Sequence, residues 1–219
     1  MATSPAAAAL TPTAHDRAAA ALRAAILEGT LRPGQRVNQE AWAARVGVSL
    51  IPVREALRAL TGEGLVTYRR RRGYVVTELD IHELEEVYAL RRLLESEALR
   101  RGVPGATAAD VAALAAAAET WRDAADGAGR LAANRRFHGL LHELAGSRPL
   151  SRLIDLLWDS TEAYRALYYA LPGEAAEADR AHRAILDAVA SRDAERAVAL
   201  QDVHRERALE RLREALAAS

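Results

Sequence analysis

Between Asn38 and Thr77 the chain sets its turn residues and apolar positions in an order that few folds accommodate. Asn38 precedes a short run of helix formers, Gln39–Val46, and Gly47 follows it, so the spacing predicts a brief helix with a polar N-cap and a left-handed stop. Ser49 opens and caps a second helix that runs to about Gly62. Pro52 falls in its first turn, where the missing N–H costs nothing. Val53, Leu57 and Leu60 recur at i, i+4 and i+7 and predict one buried stripe. Two short helices about a tight glycine turn make a helix-turn-helix. The segment "LVTY", the arginines Arg69–Arg72, Gly73 and "YVVT" then read as two strands around a charged tip. A helix-turn-helix followed by a basic hairpin predicts a winged helix. A helix from about Thr13 to Glu28, with Leu22 and Ile26 on one face, and a Pro33-Gly34 turn complete it.

Charge divides the chain in the same place. Lys and Cys are absent, and all 30 basic residues are Arg. The formal net charge is zero, yet residues 15–77 carry 11 Arg against 5 acids while residues 78–219 carry 19 Arg against 25. A basic N-terminal third on an acidic remainder predicts a nucleic-acid-binding module joined to something else. Lack of Cys excludes disulfide scaffolds, thiolate metal sites and Cys nucleophiles, and fits a reducing cytoplasm. No apolar run approaches the roughly 20 residues that a membrane span needs. Residues 1–14 lack the pattern of a secretory signal and predict a disordered tail.

After Thr77 the periodicity is helical throughout, with predicted helices at 80–101, 107–125, 128–145, 148–170, 174–190 and 193–217. The breaks "RGVPGAT", "DGAG", "GSRP", "LPGE" and "SRD" are short, so neighbours should be antiparallel. The expected fold is mainly α: residues 15–77 as a winged helix-turn-helix with a small β-hairpin wing, and residues 78–219 as an all-α bundle of about six helices.

The blocks "ILEGTLRPGQRV", "GVS-x-x-PVREALRAL", "EGLV" and "RGYVV" resemble, in order and spacing, the winged-helix domain of the GntR family of bacterial transcription regulators. "LEEVYALRRLLESEA", "NRRFHGLLHELAG", "AHRAILDAV-x-x-RDAERA" and "VHRE" resemble the FCD effector-binding and dimerisation domain of FadR-like members. Six rather than seven helices in that domain resemble its VanR-like branch. The resemblance implies a homodimeric regulator, a repressor, that binds a pseudo-palindromic double-stranded operator.

The helix from Ser49 should then enter the major groove by its N-terminal end. With Val53, Leu57 and Leu60 inward, Arg54 and Arg58 face out. Arg54 is the expected base reader, since a guanidinium bonds guanine O6 and N7 bidentately. Arg36, Gln39 and Arg58 are expected phosphate contacts, which position without reading. Arg71, Arg72 and Gly73 resemble the family's wing tip, which enters the minor groove. Many relatives carry Arg after "GVS" where this chain has Leu50, a residue suited to a thymine methyl. Glu55 is expected to orient Arg54 or pair within the fold.

The helical part holds a second constellation. Asn134 and His138 lie four apart on one helix, hence on one face. His182 and His204 lie 10 and 12 residues from the turn at Arg192, at similar height on antiparallel helices. Three imidazoles and an amide oxygen converging in a bundle suit a divalent Zn, Ni or Mn ion. The resemblance implies the same set, because metal-binding FCD domains carry Asp or Asn four before the first His and two later His. His142 continues the Asn134–His138 face as an alternative ligand, and His15 and His82 read as surface residues. Arg91 shares a stripe with Leu84, Val87, Tyr88 and Leu94. It reads either as an Arg whose stem covers apolar surface or as a pocket Arg that clamps a carboxylate. The resemblance, whose members sense small organic acids, implies the second. Tyr164 is the named candidate for lining that pocket, with Tyr168 and Tyr169 beside it, although tyrosines at this spacing more often serve packing. Two rival expectations stand beside this one: a regulator whose histidines bond an organic ligand without metal, and a metal-dependent hydrolase, for which no HExxH or nucleophile elbow is found.

Overall fold

The computed structural model describes residues 12–217 apart from Glu28, Leu79 and Asp126. The expected tail up to residue 11 therefore lies outside the described residues. Thr13 caps the first helix rather than belonging to a tail, because its hydroxyl accepts from the Asp16 amide at 3.1 Å and its own N–H donates to the Asp16 carboxylate at 2.9 Å. That helix, α1 (Ala14–Leu27), buries Ala18, Leu22, Ala25 and Ile26 against α2 (Gln39–Val46) and α3 (Leu50–Gly62). Val53, Leu57 and Leu60 of α3 are fully buried. Asn38 Oδ1 accepts from the amides of Glu40 and Ala41, and Gly47 ends α2 at φ 69°. Ser49 has the extended backbone of an N-cap, but its side chain makes no capping bond. Pro52 already removes one of the N–H groups such a cap would serve.

The wing consists of β1 (Val66–Arg69) and β2 (Gly73–Val76), antiparallel, with Val66 opposite Val76 and Arg69 opposite Gly73. The Arg36 segment adds an edge: Val37 N donates to Tyr74 O and Val76 N to Gln35 O, both at 2.9 Å. Arg71 (φ 69°) and Gly73 (φ 78°) turn the tip.

Seven further α-helices follow among the described residues: α4 (Ile81–Gly102), α5 (Ala108–Asp123), α6 (Gly127–Glu143), α7 (Arg148–Ser160), α8 (Glu162–Ala170), α9 (Glu174–Ala190) and α10 (Ala194–Ala217). A capping box between Asp80 and Glu83 starts α4. Its inner face is Leu84, Tyr88, Arg91, Glu95, Ala98, Leu99 and Gly102. At Gly102 a Cβ would stand 2.4 Å from Leu144 Cβ, so the close approach of α4 to the end of α6 requires glycine.

The expected helix 148–170 is broken at Thr161 (φ −111°, ψ 10°) into α7 and α8. The cause is tertiary. The Thr161 hydroxyl bonds back to Leu157 O at 3.1 Å, and buried Arg165 donates to Trp158 O and to Thr161 Oγ1, each at 2.8 Å. The last carbonyls of α7 are thus drawn away from the helical ladder. The count of six helices is corrected to seven, and the VanR-like branch that rested on six loses its basis.

The break also joins the two halves. Ala163 of α8 is buried in the core of the winged helix with Leu22, Val53 and Leu57. Gly64 lies against Ser160, where an added Cβ would be 3.4 Å from its Cα. Arg23 NH2 donates to Glu63 at 3.0 Å beside this seam.

Candidate nucleic-acid interface and buried histidine site

On the winged helix, Arg36, Gln39, Leu50 and Arg54 surround one open cleft of about 280 Å³ between α2 and α3. Arg54 and Arg58 both project outward. Arg54 Nε donates to Gln39 Oε1 at 3.1 Å, which fixes the stem and leaves the terminal nitrogens of the guanidinium forward. Glu55, expected to orient Arg54 or pair within the fold, is exposed and has no polar partner among the described residues; Gln39 does the orienting. Ser49, free of capping duty, is exposed at the start of α3. Beside it Ile51 is 67 % exposed, an apolar side chain at the reading end that sequence reasoning did not single out. Arg71 and Arg72 stand exposed at the wing tip with Gly73 behind them, away from the cleft.

The second site is buried. His138 (α6), His182 (α9) and His204 (α10) each offer a ring nitrogen, and these lie within 4.8 Å of one another. His138 Nε2 and His182 Nε2 are 3.2 Å apart, and the His138 and His204 rings stack at 5.6 Å. Burial lowers all three pKa values. Neighbouring imidazoles add to it at His138 and His182. Arg205 and Arg91 add to it at His204, which is brought to about 4. All three are therefore neutral at pH 7, the form that ligates metal. An ion bound at about 2.0–2.1 Å by imidazole nitrogens sets them roughly 3.0–3.4 Å apart, so the 3.2 Å pair fits a divalent ion. His182 Nδ1 and His204 Nδ1 have no hydrogen-bond partner among the described residues.

Asn134, one turn before His138, is buried, and its Oδ1 accepts from the Tyr169 hydroxyl at 2.8 Å. His142 is outside the triad. It faces Glu95, 3.9 Å away, and burial lowers it to about 4 despite that carboxylate. His15 is partly buried and His82 exposed.

Arg91 is buried, so a head reaching water is excluded. Its Nε donates to Glu95 at 2.8 Å, its guanidinium lies 4.4 Å from the Trp158 ring centre, and NH1 has no partner among the described residues. Glu95 is the hub that sequence reasoning missed. Fully buried, it also accepts from Trp158 Nε1 at 2.7 Å, Gln201 Nε2 at 3.1 Å and Arg205 NH2 at 2.8 Å. Burial pushes its carboxyl up, but Arg91 and Arg205 outweigh burial and hold it well below the usual range. The available signal was an acid on the apolar stripe of α4, four residues after Arg91. Tyr164 is buried in the helical core but does not line the cavity beside the triad; Tyr168 and Tyr169 do, with Arg91, Arg165 and Gln201. The cavity measures only about 20 Å³, room for one water.

Residues 14–76 match the model for bacterial regulatory proteins of the gntR family, and residues 86–207 match the FCD domain. The chain is 30% identical over 180 residues to the uncharacterized HTH-type transcriptional regulator YdhC of Bacillus subtilis, covering 80% of each. It is 32% identical over 202 residues to the uncharacterized HTH-type transcriptional regulator BphR of Paraburkholderia xenovorans, covering 88% of this chain and 82% of that one. Among solved structures, E. coli McbR/YncC superposes with a TM-score of 0.76 at 23% identity, over 94% of this chain and all of that one, a likeness of fold. A GntR regulator from Rhodococcus sp. RHA1 gives 0.74 at 26% identity, over 92% and 98%.

Proposed function

Because this chain belongs to the GntR family of DNA-binding transcription regulators and carries an FCD domain, we propose that it is a cytoplasmic, homodimeric repressor whose helical domain binds a divalent metal and a small carboxylate, and that the carboxylate modulates operator binding. We take residues 15–77 as the DNA-binding unit and residues 78–219 as the sensing and dimerising unit, preceded by a tail. The observation that carries the reading is the neutral triad His138, His182 and His204 beside the open donor of Arg91. The triad, with Asn134 as a fourth candidate, would hold Zn, Ni or Mn. The bound ion would supply a Lewis-acidic anchor for a carboxylate. Arg91 NH1 would clamp the other end of that carboxylate.

On DNA, Arg54 reads a base with Leu50 and Ser49 beside it, while Arg36, Gln39 and Arg58 fix position and Arg71, Arg72 and Gly73 enter the minor groove. Two copies give two half-sites, as a pseudo-palindromic operator requires. Effector binding reaches DNA only if it favours one placement of the winged helices over another. The element suited to carry this is α8, with Tyr168 and Tyr169 in the cavity wall and Ala163 in the winged-helix core. A ligand larger than a water must move that wall.

A metal-free form of the site is the second reading, favoured by Gln201. Glu95 can only accept, so the amide turns its nitrogen to it, and the same nitrogen lies 3.2 Å from His138 Nδ1. That contact places the His138 proton on Nε2, which donates to His182. Ligation through His138 Nε2 would need the amide to turn its unpartnered Oε1 toward Nδ1.

Operator affinity of the full chain, on a site selected from random duplexes, tests the proposal when titrated with acetate, succinate and citrate in excess zinc and in chelator. A shift in affinity with a carboxylate only in zinc supports the metal reading. The same shift in both supports the metal-free one, and no shift with any carboxylate refutes effector control.

A further inference from the structure

Arg165 is a buried cation with no carboxylate within 4.0 Å among the described residues. It stands on α8 in the wall of the cavity that also holds Arg91, His138 and His204. Its two terminal nitrogens donate to neutral oxygens, those of the Thr161 hydroxyl and the Trp158 carbonyl. Its guanidinium and that of Arg91 both lie on the Trp158 ring, at 4.3 and 4.4 Å from its centre. Arg135, the third guanidinium near that ring, already pairs with Asp155 and Asp159.

The charges do not balance. Glu95 is divided between Arg91 and Arg205, and Asp202 takes part of Arg205. Burial, followed by repulsion from Arg91, lowers Arg165 to about 10, so it stays charged at neutral pH. A buried cation with no carboxylate in contact, held only by the longer-range attraction of Glu162 and Asp159, is expensive, and a carboxylate is a far stronger acceptor than the carbonyl and hydroxyl it now uses. Arg91, with NH1 open, can take one carboxylate; Arg165 is placed to take another.

We propose that Arg165 receives a second anionic group of the effector, so that the ligand is a small di- or tricarboxylate rather than a monocarboxylate. The inference rests on the carboxylate pocket proposed above and narrows it. Arg165 is then the residue that discriminates. A role confined to holding the end of α7 would give no such discrimination.

The test is calorimetric titration of the full chain with succinate, citrate and butyrate, in zinc. Succinate or citrate should bind at least about tenfold more tightly than butyrate. Arg165→Gln should bring succinate and citrate to within about twofold of butyrate and leave butyrate unchanged; Arg165→Lys should keep part of the preference. Equal affinities in the unmodified chain overturn the inference and leave the carboxylate pocket standing. Loss of butyrate together with succinate in a folded Arg165→Gln overturns it as well, by assigning Arg165 to the fold. Absence of binding by all three at about 10 mM overturns the pocket, and this inference with it. The comparison in the unmodified chain decides the matter even where a variant fails to fold.

Discussion

Replacing Glu95 with Gln keeps its volume and removes one charge from the centre of the helical domain. The carboxylate accepts from Arg91, Trp158, Gln201 and Arg205 with two oxygens. An amide has one oxygen, and its NH2 would point at groups that are themselves donors. Two buried guanidiniums would also lose their shared counter-charge. Breaking a buried ion pair by removing one partner costs about 3–5 kcal/mol. For a chain of this size each kcal/mol shifts Tm by roughly 2–4 °C, so Glu95→Gln should melt about 6–20 °C lower at pH 7. The sign with pH follows from linkage. Glu95 titrates below its unfolded value, so its contribution is present above about pH 4.5 and fades as pH falls through the folded pKa. The gap between the two proteins should therefore narrow in acid. Arg205→Met added to Glu95→Gln should cost less than the sum of the two changes, because the guanidinium left uncompensated is removed. Thermal melts in chelator, followed by circular dichroism, read all of this. A loss under about 1 kcal/mol for Glu95→Gln, or strict additivity with Arg205→Met, would refute the hub.

Arg54→Ala should weaken specific operator binding by about 1–3 kcal/mol and relax base preference, measured by fluorescence anisotropy on selected and scrambled duplexes. The pair Arg36→Ala and Arg58→Ala should weaken all duplexes alike and lower the slope of log affinity against log salt by about 2. His142 falls from 6.5 to about 4 on folding, so the unfolded chain takes up its proton first and stability drops as pH falls across that window. His142→Gln should remove about 2 kcal/mol of the drop between pH 7 and pH 5, and urea titrations at those two pH values would show parallel losses if the reasoning is wrong.

The winged helix was legible because its signals are local. Asn38, Gly47 and Pro52 punctuate α2 and α3, and the arginines before Gly73 mark the wing within a few residues of the structure they specify. The break at Thr161 was not legible, because Arg165 and Trp158 make it through contacts that periodicity does not encode. Tyr164 packs in the core while Tyr168 and Tyr169 face the cavity, a choice between lining and packing that spacing alone does not make. Glu95 was invisible for a different reason. An acid on a helix reads as solvent-facing unless its partners are known, and Arg205 and Trp158 are distant in sequence. The turn at Arg192 sets His182 and His204 at similar height, since helix rise is fixed; that their nitrogens converge with that of His138 is a fact of packing.

The metal content of untagged protein, purified without chelator, beside the double variant His182→Ala and His204→Ala, tests the central claim most directly. The account predicts close to one divalent ion per chain in the unmodified protein and little in the variant, with both still folded. No metal in either protein after reconstitution with Zn²⁺, Ni²⁺ and Mn²⁺ would contradict it and leave the hydrogen-bonded triad set by Gln201 as the resting site.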